Sequence, residues 1–201
     1  MKKIARILFA TDLSFISEYA FTYAVCLAQR FDARLIVLHV VNVSLELCRV
    51  HEQHGSFEKI KAEIAHGAEK CLDEFCGKRL RYWNSMHGPD FTGYETCTVF
   101  GTPYKEVLRK AEEEKVDILV IGTHSRHDID PLVFGSTAEK VLKLAACPVI
   151  TVRPPFWMIC MKFRCNPALP LARNGSFCTV RDKGRANENE LPGPDVDPVP
   201  N

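Results

Sequence analysis

The chain has 201 residues, 46% of them hydrophobic, which is enough for one domain with a buried core. Its 26 lysines and arginines nearly balance 25 aspartates and glutamates, so the charge indicates neither a nucleic-acid partner nor an anionic membrane surface. No apolar run reaches the roughly 18 residues of a membrane-spanning helix. Nine cysteines without a secretory signal argue against a disulfide framework, and we expect a cytoplasmic protein.

Apolar runs and helical patterns alternate along the first half of the chain. Residues 5–10 (ARILFA) and 34–41 (RLIVLHVV) are almost entirely apolar, which is typical of strands buried on both faces of a parallel sheet. Helical spacing of apolar residues predicts a helix over 17–30, with Tyr23 among the spaced residues, and a second helix over 57–80.

The middle of the chain repeats this alternation. Residues 84–93 carry glycine, proline and asparagine and predict a loop, and the alternating, β-rich residues 94–100 predict a strand at an edge. Thr102 is a candidate N-cap for a helix over 103–115, which has proline at its first position. An apolar strand is expected over 116–121.

The last helix and strand follow a glycine. Gly135 precedes a helix predicted over 136–146, and Ser136 with Glu139 fits a capping box. A short strand over 149–152 ends the pattern. Strands that alternate with helices predict an α/β fold, a five-stranded parallel open sheet with helices on both faces.

An open parallel sheet binds ligands at the carboxyl ends of its strands, near the point where the strand order reverses. Asp12, Val41 and Gly122 end strands one, two and four, and they converge on one crevice if strands one and four adjoin. Gly122 and the helix start at 135–137 offer close backbone approach and unpaired N–H groups, as in a phosphate cradle. An ordinary strand-to-helix turn explains the same spacing. Asp12 either accepts ribose hydroxyls or only caps the helix that follows.

The loop after Gly122 carries further polar candidates. His124, Arg126 and His127 are suited to donate to phosphate, and either histidine could act as a general acid or base. The alternative is that all three are solvated loop residues.

A second group of candidates has the spacing of metal ligands. Cys48, His51 and His54 follow a C-x2-H-x2-H pattern, but zinc needs three or four ligands in fixed geometry and no fourth is nearby. A solvated loop is the favoured interpretation. The chain contains no G-x-S-x-G, Walker lysine loop or H-E-x-x-H motif, so we do not expect an enzyme.

The pattern stops after Arg153. Residues 156–163 (FWMICMKF) are apolar but too few to span a membrane, and 166–201 are rich in proline, glycine and asparagine without periodicity. We therefore expect a domain over 1–153 and a largely disordered extension over 154–201.

Four segments together resemble the universal stress protein family. They are ILFATDLS, LIVLHVV, GTPYKEVLRKAEEEKVDILVIGTHS and GSTAEKVLKLAACPVITVR, and the resemblance covers residues 2–153. It implies a Rossmann-like sheet of the adenine-nucleotide alpha hydrolase type, in strand order 3-2-1-4-5, and a homodimer with a role in stress response. The last strand is short, apolar and expected at an edge that invites pairing. The expected dimer contacts are Val149, Ile150, Thr151 and Val152.

One branch of that family binds ATP through the motif G-x2-G-x9-G-[ST]. Gly122, Gly135 and Ser136 match it with the spacing intact, whereas Ser125 stands at the middle glycine. The alternative is therefore an interaction module of the same fold, in which Ser125 impairs the pocket. By position, the resemblance implies an ATP site, with magnesium accompanying the nucleotide, formed by Ala10, Thr11, Asp12, Val41, Ile121, Gly122, His124, Ser125, Gly135, Ser136 and Thr137.

Overall fold

Strands and helices alternate throughout the part of the chain that the computed structural model describes, which is residues 3–42, 57–87, 91–123, 134–153 and 155. The elements are β1 Arg6–Thr11, α1 Phe15–Phe31, β2 Arg34–Val41, α2 Phe57–His87, β3 Tyr94–Phe100, α3 Pro103–Glu113, β4 Ile118–Gly122, α4 Ser136–Leu144 and β5 Val149–Val152.

All five strands form one parallel sheet in the order β3-β2-β1-β4-β5, which confirms the expected topology. From the central strand β1, the chain moves outward through β2 to β3 and then returns to add β4 and β5 on the other side. The strand order therefore reverses between β1 and β4, and the carboxyl ends of these two strands lie side by side.

Each face of the sheet carries its own apolar core, because successive side chains of a strand point to opposite faces. Ile7 and Phe9 of β1 pack with α1 and α2, whereas Leu8 and Ala10 pack with α3 and α4. The prediction for α1 is corrected here: Tyr23 is 42% exposed and lies outside the buried stripe of that helix. That stripe consists of Ala20, Phe21, Ala24, Val25 and Ala28.

Helix α2 runs to His87, so the loop predicted from residue 84 onward begins too early. The extra turns are held by contacts with residues outside the helix. Trp83 is 9% exposed, and its indole Nε1–H donates to Oε1 of Gln29 in α1 at 2.9 Å. Asn84 lies within the helix, and its Oδ1 accepts the backbone N–H of Phe91 at 3.2 Å. This residue type favours turns, but here its side chain binds the segment after the helix.

The capping box predicted at the start of α4 is wrong. The N-cap is Gly135, and Ser136 is already the first helical residue, so its hydroxyl stands one position too late to cap. Glu139 instead pairs with Lys143 one turn further on, at 2.6 Å. By contrast, α1 has a side-chain cap, because Ser14 Oγ accepts the N–H of Ser17 at 3.2 Å.

Several predictions concern parts of the chain outside the described residues. These are the candidates in the loop after β4, the Cys48, His51 and His54 group, and nearly all of the extension over 154–201, which remain predictions. Within the described residues, no helix is both long and apolar enough to cross a membrane.

Candidate functional site

A cleft of about 560 Å³ opens at the carboxyl edge of the sheet, where the ends of β1, β2 and β4 meet the beginnings of α3 and α4. Its size falls within the range of small-molecule sites, roughly 300–1,000 Å³. The described residues that line it are Ala10, Thr11, Asp12, Ser17, Leu38, His39, Val40, Val41, Asn42, Pro103, Val107, Ile121, Gly122, Gly135, Ser136, Thr137 and Ala138.

The cleft brings together the site residues expected from the sequence. Every expected residue in the described ranges lines it, which leaves out only His124 and Ser125. The ends of β1 and β4 that supply some of them are more than 100 residues apart in the sequence, and the β1–β4 pairing places these ends next to each other. Whether each residue contacts a ligand stays a prediction.

One wall of the cleft is apolar and belongs to the core under α3 and α4. Val107 of α3 and Ala138 of α4 are almost fully buried there, at 2% exposure each. Val40 packs against the same core, so by strand alternation the neighbouring Val41 points to the other face of β2. The sequence analysis named Val41 and missed Val40. The alternation of side chains along the strand could have predicted Val40, because Val40 lies on the same face of β2 as Leu38.

Two hydroxyl side chains, those of Thr11 and Ser17, hold the loop between β1 and α1 in place. Ser17 Oγ donates to the Ser14 carbonyl oxygen at 2.8 Å, so its hydrogen is used, and Thr11 must be the donor in the 2.8 Å contact between the Thr11 and Ser17 hydroxyls. Thr11 Oγ1 in turn accepts the backbone N–H of Leu13 at 3.0 Å. The Thr11 hydroxyl is thus engaged in holding the loop.

Asp12 lines the cleft and also takes part in the same loop. The N-cap of α1 is Ser14, so Asp12 forms the turn but does not itself cap the helix, and its contact with ribose stays a prediction. Its Oδ1 accepts the N–H of Ser14, the N-cap of α1, at 3.0 Å. The next residue, Leu13, has a φ of 61°, a left-handed conformation that costs a leucine about 1–2 kcal/mol. The Leu13 side chain packs against the core under α1 and α2, which offsets this cost.

His39 is a cleft residue that the sequence analysis missed. Its Nδ1 lies 2.9 Å from the carbonyl oxygen of Thr11, its register partner in β1. A carbonyl oxygen can only accept, so Nδ1 carries a hydrogen, and Nε2 is an acceptor when the ring is neutral. The available signal was that His39 is the one polar residue in β2 after Arg34 and stands near the carboxyl end of the strand.

The start of α4 supplies the N–H groups of the site, although fewer than the motif suggests. The Gly135 N–H donates to the Thr123 carbonyl oxygen at 2.8 Å, and the first intrahelical bond runs from the Glu139 N–H to the Gly135 carbonyl oxygen at 3.0 Å. The N–H groups of Ser136, Thr137 and Ala138 therefore have no acceptor within the helix. All three residues line the cleft at the positive end of the helix dipole.

Metal ligands are not grouped in the described part of the chain. No set of three or more His, Cys, Asp or Glu side chains there is arranged to hold an ion. The described lining of the cleft combines an apolar wall with the Asp12 carboxylate, the His39 ring and the start of α4. This combination suits a ligand with an apolar ring at one end and an anionic group at the other.

The parallel open sheet and the cleft at its reversal point define a Rossmann-like α/β protein. The sequence model of the Universal stress protein family matches residues 3–153. The chain belongs to that family, which confirms the resemblance.

Known relatives agree with this assignment. A universal stress protein of Methanocaldococcus jannaschii is 30% identical over 150 residues, which span 75% of this chain and 82% of the relative. The solved structure of the universal stress protein UspA from Lactobacillus plantarum has a TM-score of 0.58 at 26% identity, covering 76% of this chain and all of its own. A second M. jannaschii universal stress protein of known structure has a TM-score of 0.60 at 24% identity, over 77% of this chain and 99% of its own, and supports the fold alone.

Proposed function

We propose that this protein binds an adenine nucleotide, above all ATP, in the cleft at the carboxyl edge of the sheet, and that it acts in the stress response as a homodimer. The observation that carries the proposal is the convergence of Asp12, Gly122 and the helix start at Gly135 on one cleft, with the spacing of the family's ATP motif. Each of these features alone has an ordinary structural explanation, whereas their convergence at the reversal point of the sheet points to a ligand.

The chemistry of the two sides of the cleft supports one orientation of the nucleotide. The apolar wall that includes Val40 and Ile121 suits the base. The Asp12 carboxylate suits the ribose hydroxyls, since an ionised carboxylate only accepts and hydroxyls can donate to it. The N–H groups of Ser136 and Thr137 suit the phosphates. Magnesium would come with the phosphates, because it keeps several waters and needs few protein ligands when phosphate is present.

A binding measurement tests the nucleotide proposal. Titration calorimetry with ATP should detect binding to the wild type and a loss of about tenfold or more in Asp12→Asn, since hydrogen bonds to a charged group contribute about 1.5–3 kcal/mol. Asp32→Asn is the matched control, because Asp32 ends α1 at the opposite edge of the sheet. Absence of binding at millimolar ATP by a folded wild type would refute the proposal.

We do not propose catalysis. The chain has none of the nucleophile or metalloprotease motifs that would activate water, so bound nucleotide would be held rather than consumed. The role that fits is sensing or buffering of adenine nucleotide, with the state of the site passed to partner proteins.

The dimer is proposed through β5, an edge strand that pairs with β4 on one side. Its Val149, Ile150 and Thr151 are only partly buried, and an edge with partly exposed apolar residues favours pairing with a second copy. Thr151→Lys should shift sedimentation toward the monomer, because a lysine on an edge strand opposes such pairing. Thr96→Lys, on the opposite edge strand β3, should leave it unchanged. A wild type that sediments as a monomer at micromolar concentration would refute the dimer.

A cytoplasmic location is part of the proposal. Its support is that the cysteines in the described residues are free thiols, which suits a reducing compartment. They are Cys26, Cys71, Cys76, Cys97 and Cys147.

A further inference from the structure

Leu13 has an unusual backbone conformation next to the carboxylate of the cleft. Its φ is 61°, and it stands between Asp12 and the N-cap of α1. Asp32 and Lys115 also have positive φ among the described non-glycine residues, at 50° and 49°. Those two follow α1 and α3, where a left-handed residue is the usual way to end a helix. Leu13 precedes a helix, so helix termination does not explain its conformation.

The turn at Leu13 has a direct effect on Asp12. Two consecutive N–H groups of this turn donate to side chains at the strand end: the Leu13 N–H to Thr11 Oγ1, and the Ser14 N–H, which follows the left-handed residue, to Asp12 Oδ1, each at 3.0 Å. One oxygen of the Asp12 carboxylate is thereby fixed by the loop. The Leu13 side chain packs against the core under α1 and α2, which holds the residue in this conformation.

We propose that Leu13 is a positioning residue, whose left-handed backbone, anchored by its side chain in the core, orients the Asp12 carboxylate toward the ribose hydroxyls of the bound nucleotide. This inference rests on the proposed function. A strained residue beside a binding site persists only because the surrounding structure holds it in that conformation. Such strain commonly serves to pre-organise the side chains that bind the ligand.

The test compares ATP with 2′,3′-dideoxy-ATP, which lacks both hydroxyls that Asp12 would accept. Wild type should prefer ATP by about tenfold or more, as expected for hydrogen bonds to a charged group. Leu13→Gly keeps access to positive φ but removes the anchor, so its preference should fall below about threefold while its affinity for the dideoxy nucleotide stays within about twofold. Leu13→Met restores an apolar side chain and should keep the wild-type preference.

Controls separate orientation of the carboxylate from a general loss of structure. Lys115→Gly changes another left-handed residue, at the opposite edge of the sheet, and should leave the preference unchanged. Asp12→Ala should abolish the preference for ATP over the dideoxy nucleotide. Adding Leu13→Gly to Asp12→Ala should not change the preference further, because the two substitutions remove the same interaction. Circular dichroism monitors folding, and Leu13→Asn replaces Leu13→Gly if the glycine variant does not fold.

The possible results separate the two proposals. A wild-type preference that persists in folded Leu13→Gly and Leu13→Asn overturns the inference and leaves the proposed function intact. Equal binding of both nucleotides by the wild type also overturns it. A wild type that binds neither nucleotide refutes the proposed function and this inference together.

Discussion

The hydroxyl oxygens of Thr11 and Ser17 lie 2.8 Å apart and join the end of β1 to the first turn of α1. Both side chains are buried, with 7% and 4% exposure. Because Ser17 gives its hydrogen to the Ser14 carbonyl oxygen, the Thr11 hydroxyl donates to Ser17 and accepts from Leu13. The loop that carries Asp12 is therefore closed by side chains from both of its ends.

Replacing Thr11 by valine should reduce the free energy of unfolding by about 1–3 kcal/mol, because the buried Ser17 oxygen and the Leu13 N–H each lose a partner while the shape is nearly kept. Urea unfolding measures the change. Thr102→Val is the control, since Thr102 is exposed and makes no side-chain hydrogen bond at its N-cap position, and it should stay within about 0.5 kcal/mol of wild type. Equal effects of the two substitutions would contradict the role of the Thr11 hydroxyl.

Trp83→Phe should destabilise the protein by about 1–3 kcal/mol, because Oε1 of Gln29 loses the indole N–H that satisfies it and the smaller ring leaves space in the core. Combining Trp83→Phe with Gln29→Leu should cost less than the sum of the two single substitutions, since the pair is then replaced by apolar groups on both sides. Thermal unfolding of the four proteins gives the coupling. Strict additivity would show that the hydrogen bond does not hold the end of α2.

Stability should fall at alkaline pH through Cys76. Burial raises the pKa of this thiol from 9.0 to about 12, and the nearby Asp73 carboxylate adds to the rise. Between these values the unfolded thiol has lost its proton and the folded one has kept it, so the free energy of unfolding falls by up to about 1.4 kcal/mol per pH unit. The contribution of the Cys76 thiol to the free energy of unfolding is complete below pH 9 and is lost as the pH rises toward 12.

Urea unfolding between pH 8 and 11 measures this effect as a difference between variants. Cys76→Val should show a shallower decline than wild type, because valine does not titrate. Cys71→Ala, five residues earlier on α2, should decline like wild type, because Cys71 is exposed. At pH 8, iodoacetamide should modify Cys71 well before Cys76. Parallel declines of wild type and Cys76→Val would remove Cys76 as the cause.

Ser125→Gly should tighten ATP binding if the motif needs a left-handed residue at its middle position. Serine in that conformation costs on the order of 1 kcal/mol or more, which corresponds to about fivefold in affinity or more. Calorimetry on wild type and variant measures the difference. A wild type that already binds well and a variant that binds no better would contradict an impaired pocket, whereas binding only by the variant would favour the interaction-module alternative.

Elements with local signals were predicted well from the sequence. The strands β2, β3 and β5 have the expected bounds, because their apolar or alternating runs are flanked by turn residues. The end of α2 was missed because it depends on Trp83 meeting Gln29, 54 residues earlier in the chain. A contact over that separation leaves no trace in local composition.

The cleft shows the same division between local and long-range information. The motif glycines were predicted from their spacing in the sequence, and Asp12 was predicted from its place directly after an apolar strand. The part of His39 was missed because it depends on the register between β2 and β1, which places the Thr11 carbonyl oxygen where it accepts from the His39 ring. The capping box at the start of α4 was predicted wrongly because Ser136 and Glu139 have the required spacing, whereas the N-cap is Gly135.

The bond from the Gly135 N–H to the Thr123 carbonyl oxygen joins the end of β4 to the beginning of α4, and the Thr123 N–H is also bonded to the Val152 carbonyl oxygen. The strand end and the helix start are thus tied to each other independently of the chain that connects them. Where the two ends of a loop are fixed, each doubling of the loop length costs only about 0.6 kcal/mol in free energy. We therefore expect the sequence between Thr123 and Gly135 to tolerate changes in length at little cost to the stability of the sheet and its helices.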